Sequence, residues 1–172
     1  THTVQGALGE RNNLTLGHEA VGVIHELGAA VHGFETGQRV ATSAITPDFK
    51  CDNCQRGYPS QCREMLGGWK FANLRDGVFA QYYLVNDAEA NLAPLPNDVP
   101  DDTAVYIADM MSTGFMAAEH ADLPLGGTAA VFAQGPVGLM ATVGCRLLGA
   151  GQVIAVESVP KRQELARWYG AD

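Results

Sequence analysis

The pattern of apolar and polar positions changes once along the chain, close to residues 94–100. Before this point, apolar residues form short runs, such as residues 20–24 and 78–85, which Gly, Asn and Asp residues separate. Short runs rich in Val and aromatic residues between turn-forming residues predict β-strands. Many short strands with glycine-rich turns favour a barrel.

After the proline-rich segment 94–100, strand-like and helix-like patterns alternate. We predict helices over residues 101 or 102 to 118, 137–148 and 161–169, and strands over residues 128–133 and 153–157. Strands that alternate with helices predict a parallel sheet with right-handed crossovers. A doubly wound nucleotide-binding sheet has about six strands, so we expect that the chain contains only the first part of one.

Composition narrows the classes of function. The chain has 11 Lys and Arg against 19 Asp and Glu, a net charge of −8, which argues against nucleic-acid binding through a basic face. Glycines, a proline and an arginine interrupt the most apolar stretch, residues 128–148, so no membrane span is predicted. The first residues lack a Met and an export signal, so we expect a cut end and a cytoplasmic protein.

The segment 133–138, Ala-Gln-Gly-Pro-Val-Gly, lies between a predicted strand and a predicted helix, as a dinucleotide-binding turn must. Gly135 would let the backbone approach a pyrophosphate, and Gly138 would let helix and strand pack closely. Ala133 replaces the first glycine of the usual pattern. The candidate cofactor-binding residues of this turn are Gly135, Pro136, Val137 and Gly138. The alternative is a tight turn that binds no ligand.

Three of the four cysteines lie close together in the sequence. Cys51 and Cys54 have the two-residue gap that lets two thiolates bind one ion, and Cys62 can complete a lobe around it. Asp48 can supply a fourth, carboxylate ligand. In a chain without an export signal, this cluster indicates a structural zinc site rather than disulfides. The alternative is a lobe that has lost one ligand and binds no metal.

Two further groups carry little information in isolation. His18 and Glu19 precede an apolar run and could ligate a metal, although a single histidine is more often part of a surface or a core. Asp109 and Thr113 are four residues apart and would share one helical face, where they could reach a metal and a nicotinamide. The alternative for this second pair is ordinary polarity at the start of a helix.

Taken together, these segments resemble the zinc-dependent medium-chain alcohol dehydrogenases, in particular the bacterial secondary-alcohol dehydrogenases. The resemblance runs from His2 to Asp172. The phrases that carry it are Leu-Gly-His-Glu-Ala-Val-Gly at 16–22, Thr-Pro-Asp at 46–48, Gly-Trp-Lys-Phe at 68–71, Asp-Gly-Val-Phe at 76–79, Val-Asn-Asp-Ala at 85–88 and Asp-Met-Met-Ser-Thr-Gly-Phe at 109–115.

The resemblance implies an α/β protein of two domains. Residues 1–98 would be a β-rich GroES-like barrel, the catalytic domain, truncated at its N-terminus. Residues 99–172 would be the first part of a Rossmann domain, a doubly wound parallel sheet that binds NAD(P), truncated at its C-terminus.

The resemblance also implies roles for single residues. His18 and Asp109 would hold the catalytic zinc, with Glu19 as an additional or exchanging ligand. His2 would relay the alcohol proton toward solvent, and Thr113 would lie beside the nicotinamide. The residues that match the substrate pocket of the family are Ala44, Trp69 and Met110.

The implied activity is oxidation of an alcohol, in particular a secondary one, to a ketone or aldehyde with hydride transfer to NAD(P), and the reverse. The partners would be the small-molecule substrate and further copies of the chain in a homodimer or homotetramer. The family's first zinc-ligand cysteine would precede His2, so we expect the chain by itself to be inactive. The alternatives are a polyol dehydrogenase, a related medium-chain reductase, or a zinc-binding barrel module without catalysis.

The cofactors implied are Zn²⁺ and a nicotinamide dinucleotide, and here the chain departs from its family. The secondary-alcohol enzymes commonly use NADP and carry a small residue after the second Rossmann strand, where this chain has Glu157. A carboxylate there would accept hydrogen bonds from the ribose of NAD and repel a 2′-phosphate. Ser158 and Arg162 follow and complete the candidate ribose site. We therefore predict a preference for NAD over NADP.

Overall fold

The computed structural model describes residues 3–6, 9–10 and 12–172. The chain divides into two compact units, Thr1–Ala108 and Asp109–Asp172. His2, the predicted proton-relay residue, lies outside the described residues. Within the described residues, no helix combines the length and the hydropathy that crossing a bilayer requires.

An antiparallel sheet of three short strands forms the regular part of the first unit. The strands are β1 (Ala20–Val23), β2 (Arg39–Thr42) and β3 (Leu92–Pro94). β2 lies in the middle, where Thr42 pairs with Ala20 on one side and with Leu92 on the other. The strand expected over residues 20–24 is confirmed within one residue.

The other described residues of the first unit form loops and very short helices. The helices are α1 (Asp52–Gln55), α2 (Ala88–Asn91) and α3 (Asp101–Ala104), with 3₁₀ turns at Pro59–Gln61 and Val105–Ala108. A small apolar cluster of Ala20, Phe71 and Val78, with Tyr83 packed against it, lies beside the sheet. Phe71 contributes most to this core, because it is large and only 1% exposed.

The strand expected over residues 78–85 is wrong. The amides of Val78 and Phe79 do bond to the carbonyls of Gly17 and Leu16, at 3.0 and 2.9 Å. The amide of Ala80 then bonds back to the Val78 carbonyl at 2.8 Å. This tight turn ends the pairing, although the residues that follow have a high strand propensity.

The second unit contains two parallel strands and three helices. β4 (Thr128–Phe132) pairs in parallel with β5 (Gln152–Val156), with Ala129 opposite Val153. The helices are α4 (Met110–His120), α5 (Pro136–Leu147) and α6 (Pro160–Trp168). The parallel pairing is confirmed, and the bounds of β4, β5, α5 and α6 lie within one residue of those expected.

Helices α4 and α5 pack closely at Gly114, where an added Cβ would lie 2.7 Å from the Val137 carbonyl oxygen. Any side chain at this position would therefore push the two helices apart. Apolar residues of both strands and both helices form the core of this unit, and its buried members are Ala118, Ala129, Cys145, Ala150 and Val153.

The prediction of a single helix from residue 101 or 102 to 118 is wrong, because the helical conformation is interrupted at Asp109. Ala108 is buried, and its carbonyl accepts a hydrogen bond from the amide of Ala44 at 3.1 Å. Asp109 then has φ −144° and ψ −62°, which is outside the helical region. The expected helix is thus divided into α3, a 3₁₀ turn and α4.

Candidate metal centre and nucleotide-binding turn

Three thiol sulfurs and one carboxylate oxygen converge in the loop that contains α1. The Sγ atom of Cys51 lies 3.5 Å from that of Cys54 and 3.9 Å from that of Cys62. The Oδ1 atom of Asp48 lies 3.4 Å from Cys54 Sγ and 3.3 Å from Cys62 Sγ. The four candidate ligand atoms all lie within 4.8 Å of one another.

These separations fit a tetrahedral metal ion. A zinc–sulfur bond of about 2.3 Å places two sulfur ligands about 3.8 Å apart, and a shorter bond to oxygen brings the carboxylate slightly closer. The four cysteines are all free thiols, and Cys54 points toward the other two sulfurs of the cluster. The donor set and its spacing could therefore hold one zinc ion.

The local charges also fit a cation. The backbone amides of Lys50 and Cys51 donate to Asp48 Oδ1 at 3.0 and 3.2 Å, and the Lys50 bond is the main reason why the pKa of Asp48 falls to about 2. The backbone amide of Arg63 likewise lowers the pKa of Cys51. Burial raises the pKa of Cys54 to about 12. A bound cation would offset this last effect, because a coordinating thiol is deprotonated.

Two buried polar residues hold this loop in place, and sequence analysis did not find either. The hydroxyl of Thr46 donates to the Leu66 carbonyl at 2.5 Å, and the side-chain amide of Asn91 donates to the Pro47 carbonyl at 2.9 Å. The two residues are 0% and 2% exposed, respectively. Both bonds fix the backbone next to Asp48. The sequence carries a signal for Thr46 only, as the first residue of the phrase 46–48, and none for Asn91.

The candidate catalytic residues of the first unit lie just before β1 and in the loop after the cysteines. The imidazole of His18 lies edge-on to the indole of Trp69, with ring centroids 6.1 Å apart and planes at 79°. Glu19 follows His18 and directly precedes β1, and Ala44 is buried. The structure thus brings His18 to Trp69, whereas the convergence of His18 and Glu19 with Asp109 stays a prediction.

In the second unit, Asp109 and Thr113 contact each other as their spacing predicts. The Thr113 hydroxyl donates to Asp109 Oδ1 at 2.6 Å, and the Thr113 amide donates to the Asp109 carbonyl at 2.8 Å. Asp109 directly precedes α4, and Met110 is its first residue. The hydroxyl therefore orients the carboxylate of Asp109.

The turn between β4 and α5 has a strained backbone. Ala133 has φ +66°, a left-handed conformation that glycine adopts more easily. A Cβ on Gly138 would overlap the carbonyl oxygen of Ala133, so only glycine fits there. Pro136 begins α5, where its missing N–H costs nothing.

Gln134 lies at the centre of this turn and is 0% exposed, a role that sequence analysis did not assign. Its side chain donates to the Val131 carbonyl at 3.1 Å and accepts from the Thr142 hydroxyl at 3.0 Å. These two bonds connect the end of β4 to α5. A buried glutamine inside a glycine-rich turn gives no hydropathy signal, which is why the sequence did not show it.

Glu157 follows β5 and directs its carboxylate at backbone amides. Its oxygens accept hydrogen bonds from the amides of Gln134 at 2.8 Å, Ser158 at 2.7 Å and Val159 at 3.0 Å. These bonds, above all that from Val159, lower the pKa of Glu157 from 4.5 to about 2. The resulting stabilisation is present above pH 4.5 and is lost as the pH falls toward 2.

Comparison with known proteins identifies the family. Residues 1–97 match the alcohol dehydrogenase GroES-like domain. The chain belongs to this family. A relative from Thermoanaerobacter brockii, the NADP-dependent isopropanol dehydrogenase, is 54% identical over 171 residues, which cover 99% of this chain and 49% of the relative. The chain thus spans about half the length of the curated relatives that it matches.

Solved structures of alcohol dehydrogenases share the fold. The zinc-dependent alcohol dehydrogenase 2 from Streptococcus has a TM-score of 0.88 and 30% identity, covering 99% of this chain and 48% of that one. Acetophenone reductase from Geotrichum candidum, solved with NAD, also has a TM-score of 0.88, at 26% identity, with coverages of 99% and 50%. The α/β fold class and the resemblance to zinc-dependent alcohol dehydrogenases are therefore confirmed.

Proposed function

We propose that the chain is part of a zinc-dependent dehydrogenase that oxidises a secondary alcohol to a ketone and catalyses the reverse reaction. In this reaction the carbinol carbon gives a hydride to the nicotinamide ring, the hydroxyl loses its proton, and a carbonyl forms. The observation that carries the proposal is the 54% identity to an isopropanol dehydrogenase across 99% of the chain.

The two domains of such an enzyme would be residues 1–98, the GroES-like catalytic domain, and residues 99–172, the first part of the nucleotide-binding domain. The family match to residues 1–97 supports the first assignment. The parallel pair β4 and β5, with a glycine-containing turn at the carboxyl end of β4, supports the second.

Asp48, Cys51, Cys54 and Cys62 would hold a structural zinc ion. Support comes from the sulfur separations of 3.5 and 3.9 Å and from the anionic state of Asp48. All four positions are taken by protein atoms, which is typical of structural rather than catalytic zinc sites. The ion would connect the loop around α1 to the segment that carries Cys62.

His18, Glu19 and Asp109 would hold the catalytic zinc, which when bound supplies a Lewis acid to the substrate oxygen. The contact between Thr113 and Asp109 would fix the orientation of that carboxylate, as hydrogen bonds to ligands commonly do. The indole of Trp69 beside His18 would favour a small or medium aliphatic or aryl ketone over a sugar. His2 would carry the hydroxyl proton to solvent.

The turn residues Gly135, Pro136, Val137 and Gly138 would bind the pyrophosphate of the dinucleotide, and Thr113 would contact its nicotinamide. The cofactor would be NAD rather than NADP. The T. brockii relative is named as NADP-dependent, so this preference would be a property that Glu157 confers on this chain. The ionised carboxylate would repel a 2′-phosphate, while Ser158 and Arg162 border the same position.

The test is an assay of the complete polypeptide that the gene encodes, with propan-2-ol and either NAD⁺ or NADP⁺. We expect alcohol-dependent reduction of the cofactor, and its loss in His18→Ala. The control is His25→Ala, since His25 is an exposed histidine of the same unit. Activity retained in His18→Ala would contradict the catalytic assignment.

The cofactor preference is tested in the same assay. We expect kcat/KM to be higher with NAD⁺ than with NADP⁺, and the ratio to move toward NADP⁺ in Glu157→Gly. A wild-type protein that favours NADP⁺, or a ratio that does not change in the variant, would show that Glu157 does not determine the choice.

A further inference from the structure

The carboxylate of Glu157 lies in a site built of backbone donors from two separate segments. One donor, the amide of Gln134, belongs to the turn after β4. The other two, the amides of Ser158 and Val159, directly precede α6. The side chain is only 6% exposed, and a guanidinium nitrogen of Arg162 lies 3.7 Å from Oε2.

Several converging amides and one arginine are the donors that proteins use to bind phosphate and other anions. Here the chain's own carboxylate takes all three amides, two on Oε1 and one on Oε2. Three of the roughly four acceptor positions of the carboxylate thus face backbone amides. These bonds, with that from Val159 first, stabilise the anionic form and therefore lower the pKa of Glu157 to about 2.

We propose that Glu157 is a positioning residue that acts as a built-in anion: its carboxylate joins the turn after β4 to the start of α6 and occupies amides that would otherwise bind a phosphate group. The inference rests on the proposed function only for the natural ligand, a dinucleotide. Position 157 then excludes a 2′-phosphate by filling its donors as well as by charge. It also holds the turn in its binding geometry before the nucleotide arrives.

The test uses the 172-residue protein without nucleotide, labelled with ¹⁵N and titrated with inorganic phosphate. In Glu157→Ala the three amides become available. We expect saturable shifts of the Gln134, Ser158 and Val159 amide resonances, and phosphate affinity at least ~10-fold above wild type, the factor that one regained charge-assisted hydrogen bond supplies.

The matched control is Glu164→Gln, which removes the same charge from an exposed position of α6. It should bind phosphate as weakly as the wild type does. If Glu157→Ala binds phosphate no more tightly than the wild type, if its shifts lie elsewhere, or if Glu164→Gln gains as much affinity, the proposal is wrong.

A second variant decides the question if Glu157→Ala does not fold. Glu157→Gln keeps the shape and one acceptor oxygen but loses the charge, so exchange of the three amides should be at least ~10-fold faster than in the wild type. Unchanged exchange would overturn the proposal. Neither readout involves alcohol oxidation. If both effects are seen in the 172-residue protein while the complete polypeptide encoded by the gene does not oxidise propan-2-ol, the proposed function alone is contradicted.

Discussion

The two units of this protein are stabilised in different ways. In the first unit the strands have three or four residues, and long loops are held by side-chain bonds to the backbone, such as that from Asn91 to Pro47. In the second unit the strands have five residues, and α4 and α5 have 11 and 12, around an apolar core that includes Val153. Helices and strands pair their backbone N–H and C=O groups with one another, whereas loops need specific side chains or a metal ion to hold them.

The largest expected effect is the loss of zinc affinity when one cysteine of the cluster is replaced, and this effect should be confined to the first unit. Cys54 is buried with its sulfur 3.5 Å from Cys51 Sγ and 3.4 Å from Asp48 Oδ1. In Cys54→Ser a hydroxyl replaces the thiolate ligand, so zinc affinity should fall by more than the ~100-fold that loss of an outer-shell partner causes. A zinc titration measures this, with amide exchange over residues 48–62 as a second readout.

The matched control for this change is Cys145→Ala, because Cys145 lies in the core of the second unit. It should leave zinc affinity unchanged while it reduces the stability of that unit. Equal losses of zinc affinity in the two variants would show that the cluster around Cys54 does not bind the ion.

The second prediction tests how far the first unit also depends on its small apolar core. Phe71 is 1% exposed, packs with Ala20 and Val78, and has the Arg75 guanidinium 4.5 Å from its ring centroid. Phe71→Ala should lower the free energy of unfolding by about 3–5 kcal/mol, since it leaves a large cavity. Urea unfolding measures the loss. Leu74→Ala, at a position 71% exposed, should change it by less than ~0.5 kcal/mol.

The difference between a loop-rich first unit and a regular second unit also explains how much of each can be predicted from the sequence. In the second unit, Pro136 and Pro160 begin helices and the apolar runs of β4 and β5 are regular, so their bounds could be predicted within one residue. The break at Asp109 could not, because it depends on a bond between Ala108 and Ala44, which are distant in the sequence.

The candidate metal site was predictable because its chemistry is local. Two cysteines with a two-residue gap, a nearby third and a carboxylate lie within 15 positions of the chain, from Asp48 to Cys62. The residues that support the site were not predictable. Thr46 and Asn91 donate hydrogen bonds to backbone carbonyls. Every residue has a backbone carbonyl, so the sequence does not show which one accepts such a bond. The same holds for the amides around Glu157.

A third prediction concerns the buried hydrogen bond between Thr142 and Gln134 in the second unit. The Thr142 hydroxyl donates to Gln134 Oε1 at 3.0 Å, and both residues are 0% exposed. Thr142→Val would leave this oxygen without its donor, at a cost of about 1–3 kcal/mol. Urea unfolding measures it, and Thr128→Val, at an exposed position of β4, is the control. Equal stabilities of the two variants would contradict the role of this hydrogen bond.

The smallest predicted effect is a gain in stability rather than a loss. Ala133 has φ +66°, and the left-handed conformation costs an L-residue about 1–2 kcal/mol, part of which glycine's higher chain entropy offsets. Ala133→Gly should therefore stabilise the protein by up to ~1 kcal/mol. Ala130→Gly, within β4, should destabilise it by about 0.5–1 kcal/mol. Thermal unfolding compares the two, and a loss of stability in Ala133→Gly would show that the turn is not strained.

Cobalt substitution of the 172-residue protein tests whether Asp48, Cys51, Cys54 and Cys62 form one zinc centre. His18, Glu19 and Asp109 contain no sulfur, so a thiolate-to-cobalt charge-transfer band reports on the cysteine cluster alone. We predict a tetrahedral cobalt spectrum whose charge-transfer band saturates at one ion per chain and loses about a third of its intensity in Cys62→Ser, one of three thiolates. The absence of a charge-transfer band, or a band that Cys62→Ser leaves unchanged, would show that these residues do not form a zinc centre.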